Sequence, residues 1–290
     1  MDTSKIKALE EKAKRIRAST IKTIYEAGSG HIGPALSIVE IITCLLFGEL
    51  NWMDFLEEAK DLSPEEQLKY WHNPELGRDR FVLSKGHAVP SWYAATAIAG
   101  FIKESELSQL RIINSRLQGH PERKRFPFID ATTGSLGQGQ SEAMGYALAK
   151  KLAGRTERVY AIIGDGESNE GQVWETALSA PKFKLDNFVV IVDFNKRQGE
   201  GTNKEIMDIE PLGDKWAAFN WHTQRVDGHD IKALLAAFEK AREVKGRPHV
   251  IIADTNKGYL GNGRLFMSGG HNPVIDEKNY TEAINFLGII

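Results

Sequence analysis

Val159-Tyr-Ala-Ile-Ile-Gly164-Asp165-Gly166-Glu-Ser-Asn-Glu170-Gly171, answered further on by Phe188-Val-Val-Ile-Val-Asp-Phe-Asn195, is the pair of stretches that decides the fold. Each opens with a short run rich in β-branched residues, the pattern of a strand buried on both faces. Each closes in small and polar residues, which places Asp165 and Asn195 at strand C-termini. In open parallel sheets, ligands collect in the crevice outside those ends.

Working outward, helix-like periodicity falls near 4–27, 35–48, 90–100, 104–115, 136–153, 171–180, 212–219 and 231–245. Strand-like runs lie between them: Phe81-Val-Leu-Ser, Val159 to Ile163, Phe188 to Asp193, Trp221 to Val226 and His249 to Asp254. Such alternation predicts an α/β fold, a parallel sheet covered by helices on both faces, and one domain accommodates residues 1–290. The segment 49–78, acidic and broken by Pro64 and Pro74, reads as a surface excursion. In the helix expected at 136–153, Leu136, Ala143, Met144, Ala147, Leu148 and Leu152 form the apolar stripe, with Lys150 and Lys151 elsewhere. Thr132-Thr-Gly134-Ser135 precedes that helix, where free amide hydrogens favour an anion or a polar ligand edge.

Composition excludes several classes. The chain has 290 residues, 41% hydrophobic and 26% charged, with a formal net charge of −2, close to the globular average. No nucleic acid or other polyanion partner is implied. The longest apolar stretches, around Ile38 to Phe47 and Phe188 to Val192, fall short of the roughly 20 residues that cross a bilayer, so no membrane span is expected. The N-terminus is charged and helical in pattern, unlike a signal peptide. The single cysteine, Cys44, sits in an apolar segment and reads as a packed thiol, which suits a reducing cytoplasm.

The Gly164-Asp165-Gly166 segment and Asn195 together read as a site for a hard divalent cation with a diphosphate. Such a cation wants about six oxygen ligands, and Asp165, Asn195 and the main-chain carbonyl of Arg197 could supply three. Gly-Asp-Gly after a strand is also a common turn; it is Asn195 at the second strand end that favours the cation. By contrast, Gly28-Ser-Gly30-His31-Ile-Gly33 matches the dinucleotide-binding pattern in letters only. A helical pattern precedes it and no acidic strand end follows at about 20 residues.

The spacing from Asp165 to Asn195 resembles the thiamine diphosphate motif, and Glu170-Gly171, Trp174-Glu175 and Leu185-Asp186-Asn187 narrow the resemblance to the transketolase family. Ser29-Gly30-His31, Ser84-Lys85-Gly86-His87-Ala88 and Gly119-His120-Pro121-Glu122 resemble its histidine motifs. The resemblance implies thiamine diphosphate and Mg²⁺ (or Ca²⁺ or Mn²⁺ in its place), with Asp165, Asn195 and Arg197 holding the metal. It implies that Gly166 and His87 contact the diphosphate, while Gly134, Ser135 and Leu136 contact the rest of the cofactor. Ser135 stands where many full-length transketolases carry proline. His31 and His120 would bind or deprotonate sugar hydroxyls, and Glu170 would face a subunit interface. His271, in Met267-Ser-Gly-Gly-His271-Asn-Pro rather than the family's usual His-Gly ending, either closes over the diphosphate or caps a surface turn.

The resemblance runs from Lys12 to about Ile284 and covers only the diphosphate-binding domain of a full transketolase. It implies the N-terminal subunit of a split enzyme, paired with a C-terminal subunit carrying the pyrimidine-binding domain, expected as an α2β2 heterotetramer acting on sugars or sugar phosphates. The competing readings are a chain like deoxyxylulose phosphate synthase or like the alpha chain of a 2-oxoacid dehydrogenase, and a non-catalytic module that kept the fold.

Overall fold

Strands β1 (Arg80–Leu83), β2 (Val159–Gly164), β3 (Phe188–Phe194), β4 (His222–Asp227) and β5 (His249–Asp254) form one five-stranded sheet in the order β1-β2-β3-β5-β4, every neighbouring pair parallel. These elements come from a computed structural model, which describes residues 3–289. Every residue of β1, β2 and β3 is buried. The reason is visible in the side-chain alternation. Tyr160, Ile162, Val189, Ile191, Ile251 and Ala253 pack against helices Thr3–Ala27, Val39–Cys44, Val89–Ala99 and Ile231–Glu243 on one face. Val159, Ala161, Ile163, Val190, Val192, Val250 and Ile252 pack against helices Gln138–Leu152, Gly171–Lys182 and Leu212–Ala218 on the other. Each fully buried valine or isoleucine among them stabilises the fold by about 1.5–3 kcal/mol relative to exposure, so a continuous apolar run is what a two-sided strand requires. The α/β architecture expected from the sequence is the one observed.

Four local expectations differ. The helix expected at 35–48 begins earlier, at Ile32, and breaks at Ile38 (φ −101°, ψ 7°) between Ile32–Ser37 and Val39–Cys44. There the Ser37 hydroxyl donates to Asp193 Oδ2 of β3 at 2.7 Å. The helix expected at 104–115 is only a 3₁₀ turn, Glu104–Gln109. Arg111 (φ 62°) and Asn114 (φ 66°) are left-handed and cannot continue a right-handed helix. In helix Gln138–Leu152, Leu152 is 79% exposed and Lys150 only 7% exposed, because Lys150 is drawn toward Glu157. The 49–78 segment keeps its acids from Asp54 to Glu75 outside but buries Trp52 and Trp71 completely. Both rings flank the guanidinium of Arg78, which pairs with buried Asp130, so the excursion is fastened into the core.

No helix among the described residues is long and apolar enough to cross a membrane. Helix Thr3–Ala27 precedes Gly28 and a second helix follows at Ile32, leaving Gly28 to Gly33 without the strand a dinucleotide fingerprint needs.

Candidate active site

β2 and β3 end side by side, with Gly164 opposite Asp193, and the chain places Asp165 and Asn195 just beyond. Asp165 is buried. Its Oδ1 accepts the Gly166 N–H at 2.8 Å, and its Oδ2 accepts Lys196 N–H at 2.5 Å and Asn203 Nδ2 at 2.9 Å. Burial, then the charge of Asp193, pushes its pKa up to about 6. Asn195 is oriented from behind, as its Nδ2 donates to Asp193 Oδ2 at 2.8 Å while its Oδ1 accepts only the Arg197 N–H at 3.2 Å. A ligand oxygen fixed by an outer hydrogen bond is the arrangement that tunes a metal site. Lys196, at φ 67°, turns the chain so that Arg197 to Glu200 line the cavity.

Behind these two residues lies a group that the sequence motifs do not single out. Asp193 is fully buried and accepts from Ser37, Asn195, Thr255 and the Lys85 ammonium. Burial alone would raise its pKa, but Lys85 holds the carboxyl below the usual range. Glu167 is likewise buried. It accepts the N–H groups of Gly137 at 2.8 Å and Gly164 at 3.1 Å as well as the Ser84 hydroxyl, so it joins the start of helix Gln138–Leu152 to the end of β2. Burial pushes its pKa up.

The facing wall is a cluster of imidazoles. His31 lies 5.3 Å from His87, 5.8 Å from His120 and 5.2 Å from His271, ring centre to ring centre. All four line one cavity of about 430 Å³ together with Gly134, Leu136, Asp165, Gly166, Glu170 and Asn195. Burial lowers each pKa: His31 and His271 to about 4, His87 far below its ordinary value, and His120 downward with help from Arg111. These rings are therefore neutral at pH 7, able to donate from one nitrogen and accept at the other. His271, ambiguous in sequence, is brought in by its loop: Gly33 N–H donates to the His271 carbonyl at 3.3 Å and Gly258 N–H to the Gly33 carbonyl at 2.9 Å.

Other expected residues sit less centrally. Ser135 is exposed and absent from the cavity lining. Glu170 is exposed at the rim, N-capping helix Gly171–Lys182 without a side-chain cap bond. The Gly166 N–H, assigned to the diphosphate by resemblance, is donated to Asp165 Oδ1. Lys257 and Arg111 were not anticipated. Lys257 Nζ lines the cavity and donates to the Gln198 carbonyl at 2.8 Å; burial, then Lys85, lowers its pKa to about 8. Arg111 Nη1 donates to Ser29 Oγ at 3.0 Å beside the histidines. The signal available was local: Ser84-Lys85-Gly86 and Asn256-Lys257-Gly258 each put a lysine just past a strand.

The donor set fits a diphosphate with a hard cation. Among the described residues no three His, Cys, Asp or Glu side chains gather into a metal-holding group, so a cation here would have to take one carboxylate, an amide oxygen and a carbonyl and draw the rest from phosphate and water. Among the described residues, buried His31 Nδ1, His271 Nδ1 and Gln198 Nε2 have no hydrogen-bond partner, as expected of atoms reserved for a ligand. A side chain at Gly134 (φ 152°) would meet His120 Cδ2 at 3.1 Å, so the backbone there is bare by necessity.

Fold and cavity thus define a class, an α/β domain that grips an anionic cofactor at the ends of two adjacent parallel strands. Residues 9–288 match the family model of the transketolase thiamine diphosphate-binding domain, and the chain belongs to that family, as a transketolase-type enzyme chain. It is 39% identical over 280 residues to the 6-deoxy-6-sulfo-D-fructose transketolase subunit SqwG of Clostridium sp. (strain MSTE9), covering 95% of this chain and 94% of that protein. It is 40% identical over 253 residues to an apulose-4-phosphate transketolase subunit from Actinobacillus succinogenes, covering 86% and 85%. Transketolase from Leishmania mexicana superposes with a TM-score of 0.84 at 26% identity, over 97% of this chain but 41% of that one. The chain spans about two-fifths of that full-length transketolase.

Proposed function

We propose that this chain is the N-terminal subunit of a two-component, thiamine diphosphate- and Mg²⁺-dependent transketolase, which moves a two-carbon ketol unit from a ketose to an aldose. Its partner is a C-terminal subunit with the pyrimidine-binding domain, in an α2β2 assembly, and its location is the cytoplasm. Support for a partner comes from relatives of matching length that are named as transketolase subunits. The same relatives favour ketol transfer over oxoacid chemistry and over a non-catalytic module. In this reading the chain forms a single diphosphate-binding domain.

When bound, thiamine diphosphate supplies the electron sink for breaking and remaking a carbon–carbon bond beside a carbonyl. The protein's share is placement. Asp165, Asn195 and the Arg197 carbonyl would hold the divalent cation, and Lys257 and His87 would offer donors to the phosphate oxygens. Gly134 and Leu136, which line the cavity, would contact the rest of the cofactor. His31, His120 and His271, kept neutral by burial, hold or accept protons from sugar hydroxyls, and Arg111 stands beside them for an anionic sugar terminus. Glu170, exposed at the rim, meets the partner subunit.

The observation that carries this reading is the pairing of Asp165 and Asn195 at adjacent strand ends, opposite four histidines in one cavity. Calorimetry on the chain with its partner subunit tests it: Asp165→Ala should weaken Mg²⁺-dependent thiamine diphosphate binding by at least about 100-fold. Unchanged binding would remove the metal assignment. Consumption of a ketose with an aldehyde acceptor, against pyruvate decarboxylation, separates the two chemistries.

A further inference from the structure

A second cavity, about 420 Å³, opens beside the N-terminal end of β1 and the C-terminal half of helix Gln138–Leu152. Its lining carries four cations, Arg80, Arg123, Lys150 and Arg155, against one carboxylate, Glu75, with Tyr146 and His72 beside them. Arg80 is paired with Val159 at the start of the sheet, whereas the cofactor cavity lies over the strands' other ends. Along the shared helix, Gln138 and Lys150 are separated by about 18 Å.

The charges in this cleft are incompletely matched. Asp130 serves both Arg78 and Arg80. Arg155 takes Glu157 Oε1 at 2.7 Å and Glu75 Oε2 at 3.2 Å. Lys150, 7% exposed, pairs at 3.3 Å with that same Glu157 oxygen, so the ammonium and the Arg155 guanidinium share one carboxylate oxygen. Arg123 forms no ion pair among the described residues, and its Nε is buried without a partner. Glu142, whose pKa burial raises and the Arg123 charge only partly restores, does not pair with it. Burial lowers the Lys150 pKa, and Glu157 offsets this only in part. A buried guanidinium N–H without an acceptor costs free energy, two further cations share one carboxylate oxygen, and the group that matches a guanidinium fork beside an ammonium is a tetrahedral oxyanion.

We propose that this cleft is a second anion site that takes a phosphate monoester, its phosphate held by Arg123, Lys150 and Arg155 and its organic part against Tyr146, His72 and Pro74. The apolar lining of Ala149, Ala153 and the Tyr146 ring is what distinguishes a monoester site from one for the bare ion. Arg123 follows His120 by three residues, so the cleft and the cofactor cavity share the short loop between them.

The test is a calorimetric titration of the chain with its partner subunit, saturated with thiamine diphosphate and Mg²⁺, using AMP and separately inorganic phosphate. AMP should show one saturable site per chain, tighter than phosphate and retained in Asp165→Ala. Arg123→Gln and Lys150→Met should each weaken it by about tenfold or more, the loss of one charge-assisted contact, while thiamine diphosphate affinity stays as in the wild type. Should Lys150→Met fail to fold, Arg123→Gln decides alone, since it replaces a half-buried side chain with a polar one. Absence of a saturable AMP site, AMP binding no tighter than phosphate, or binding unaltered by Arg123→Gln would overturn the proposal and leave the cleft a structural ion network. Failure to bind thiamine diphosphate would strike the proposed function and not this cleft.

Discussion

Replacing Gly33 with alanine should disconnect His271 from the cavity. An ideal Cβ at Gly33 would lie 2.1 Å from the Gly270 carbonyl oxygen and 3.1 Å from Lys257 Cγ. The obstacle is backbone, so a close-packed interior cannot absorb the methyl through rotamers alone, and Gly270 must retreat by roughly 1 Å. That retreat stretches the two hydrogen bonds joining Gly33 to His271 and Gly258. Two such bonds at about 1 kcal/mol each, plus an overpacking cost of about 1–3 kcal/mol, give roughly 3–5 kcal/mol if the loop stays in place. Opening of residues 258–271 is the alternative, and it moves His271 and Lys257 away from their positions. A displacement of about 1 Å at a reacting centre costs on the order of 100-fold in rate. The variant should therefore show faster amide exchange over 258–271 and weakened thiamine diphosphate binding in the assembled enzyme, with a smaller fall in melting temperature than the full 3–5 kcal/mol implies. Wild-type exchange together with wild-type cofactor affinity would refute the reasoning, since the loop would then not be held through Gly33.

Other expectations rest on the same geometry. Lys85→Met leaves Asp193 buried without its counter-charge, a change worth about 3–5 kcal/mol, and urea unfolding should show it; a loss under about 1 kcal/mol would mean that Ser37, Asn195 and Thr255 suffice. His31 and His271 hold pKa values of about 4 in the fold against about 6.5 when unfolded. The unfolded chain thus binds more protons between those values, and stability should decline as pH falls from about 6.5 toward 4. A melting temperature that stays flat from neutral pH to about pH 5 would contradict the sign. Nitrogen chemical shifts at about pH 6 should report both rings neutral.

How much of the site was legible depended on whether a residue's role is set by its own strand or by a distant partner. Asp165 and Asn195 could be read because strand ends follow from the apolar runs before them, and their side-chain type does the rest. Lys85 and Asp193 could not be joined, because their contact spans 108 positions and nothing local to either names the other. Arg111 was missed because a left-handed φ at 111 ends what periodicity presents as a helix. Trp52 and Trp71 looked peripheral amid acidic neighbours, and only the approach of Arg78 and Asp130 turns them inward.

The chain's alternation of apolar runs and helical stripes, read alone, determined the parallel α/β sheet, and its family-like histidine and Asp-Asn motifs determined the kind of cofactor it is built around. Both are consequences of short-range rules, the burial of two strand faces and the chemistry of a few side chains at fixed positions. The tertiary structure decided which histidines share a cavity, that His271 belongs with them, and that Asp193 and Lys85 lie behind Asn195. Those outcomes depend on packing between segments far apart in the chain, where a difference of about 1 Å in backbone approach, as at Gly33 and Gly270, separates a closed site from an open loop.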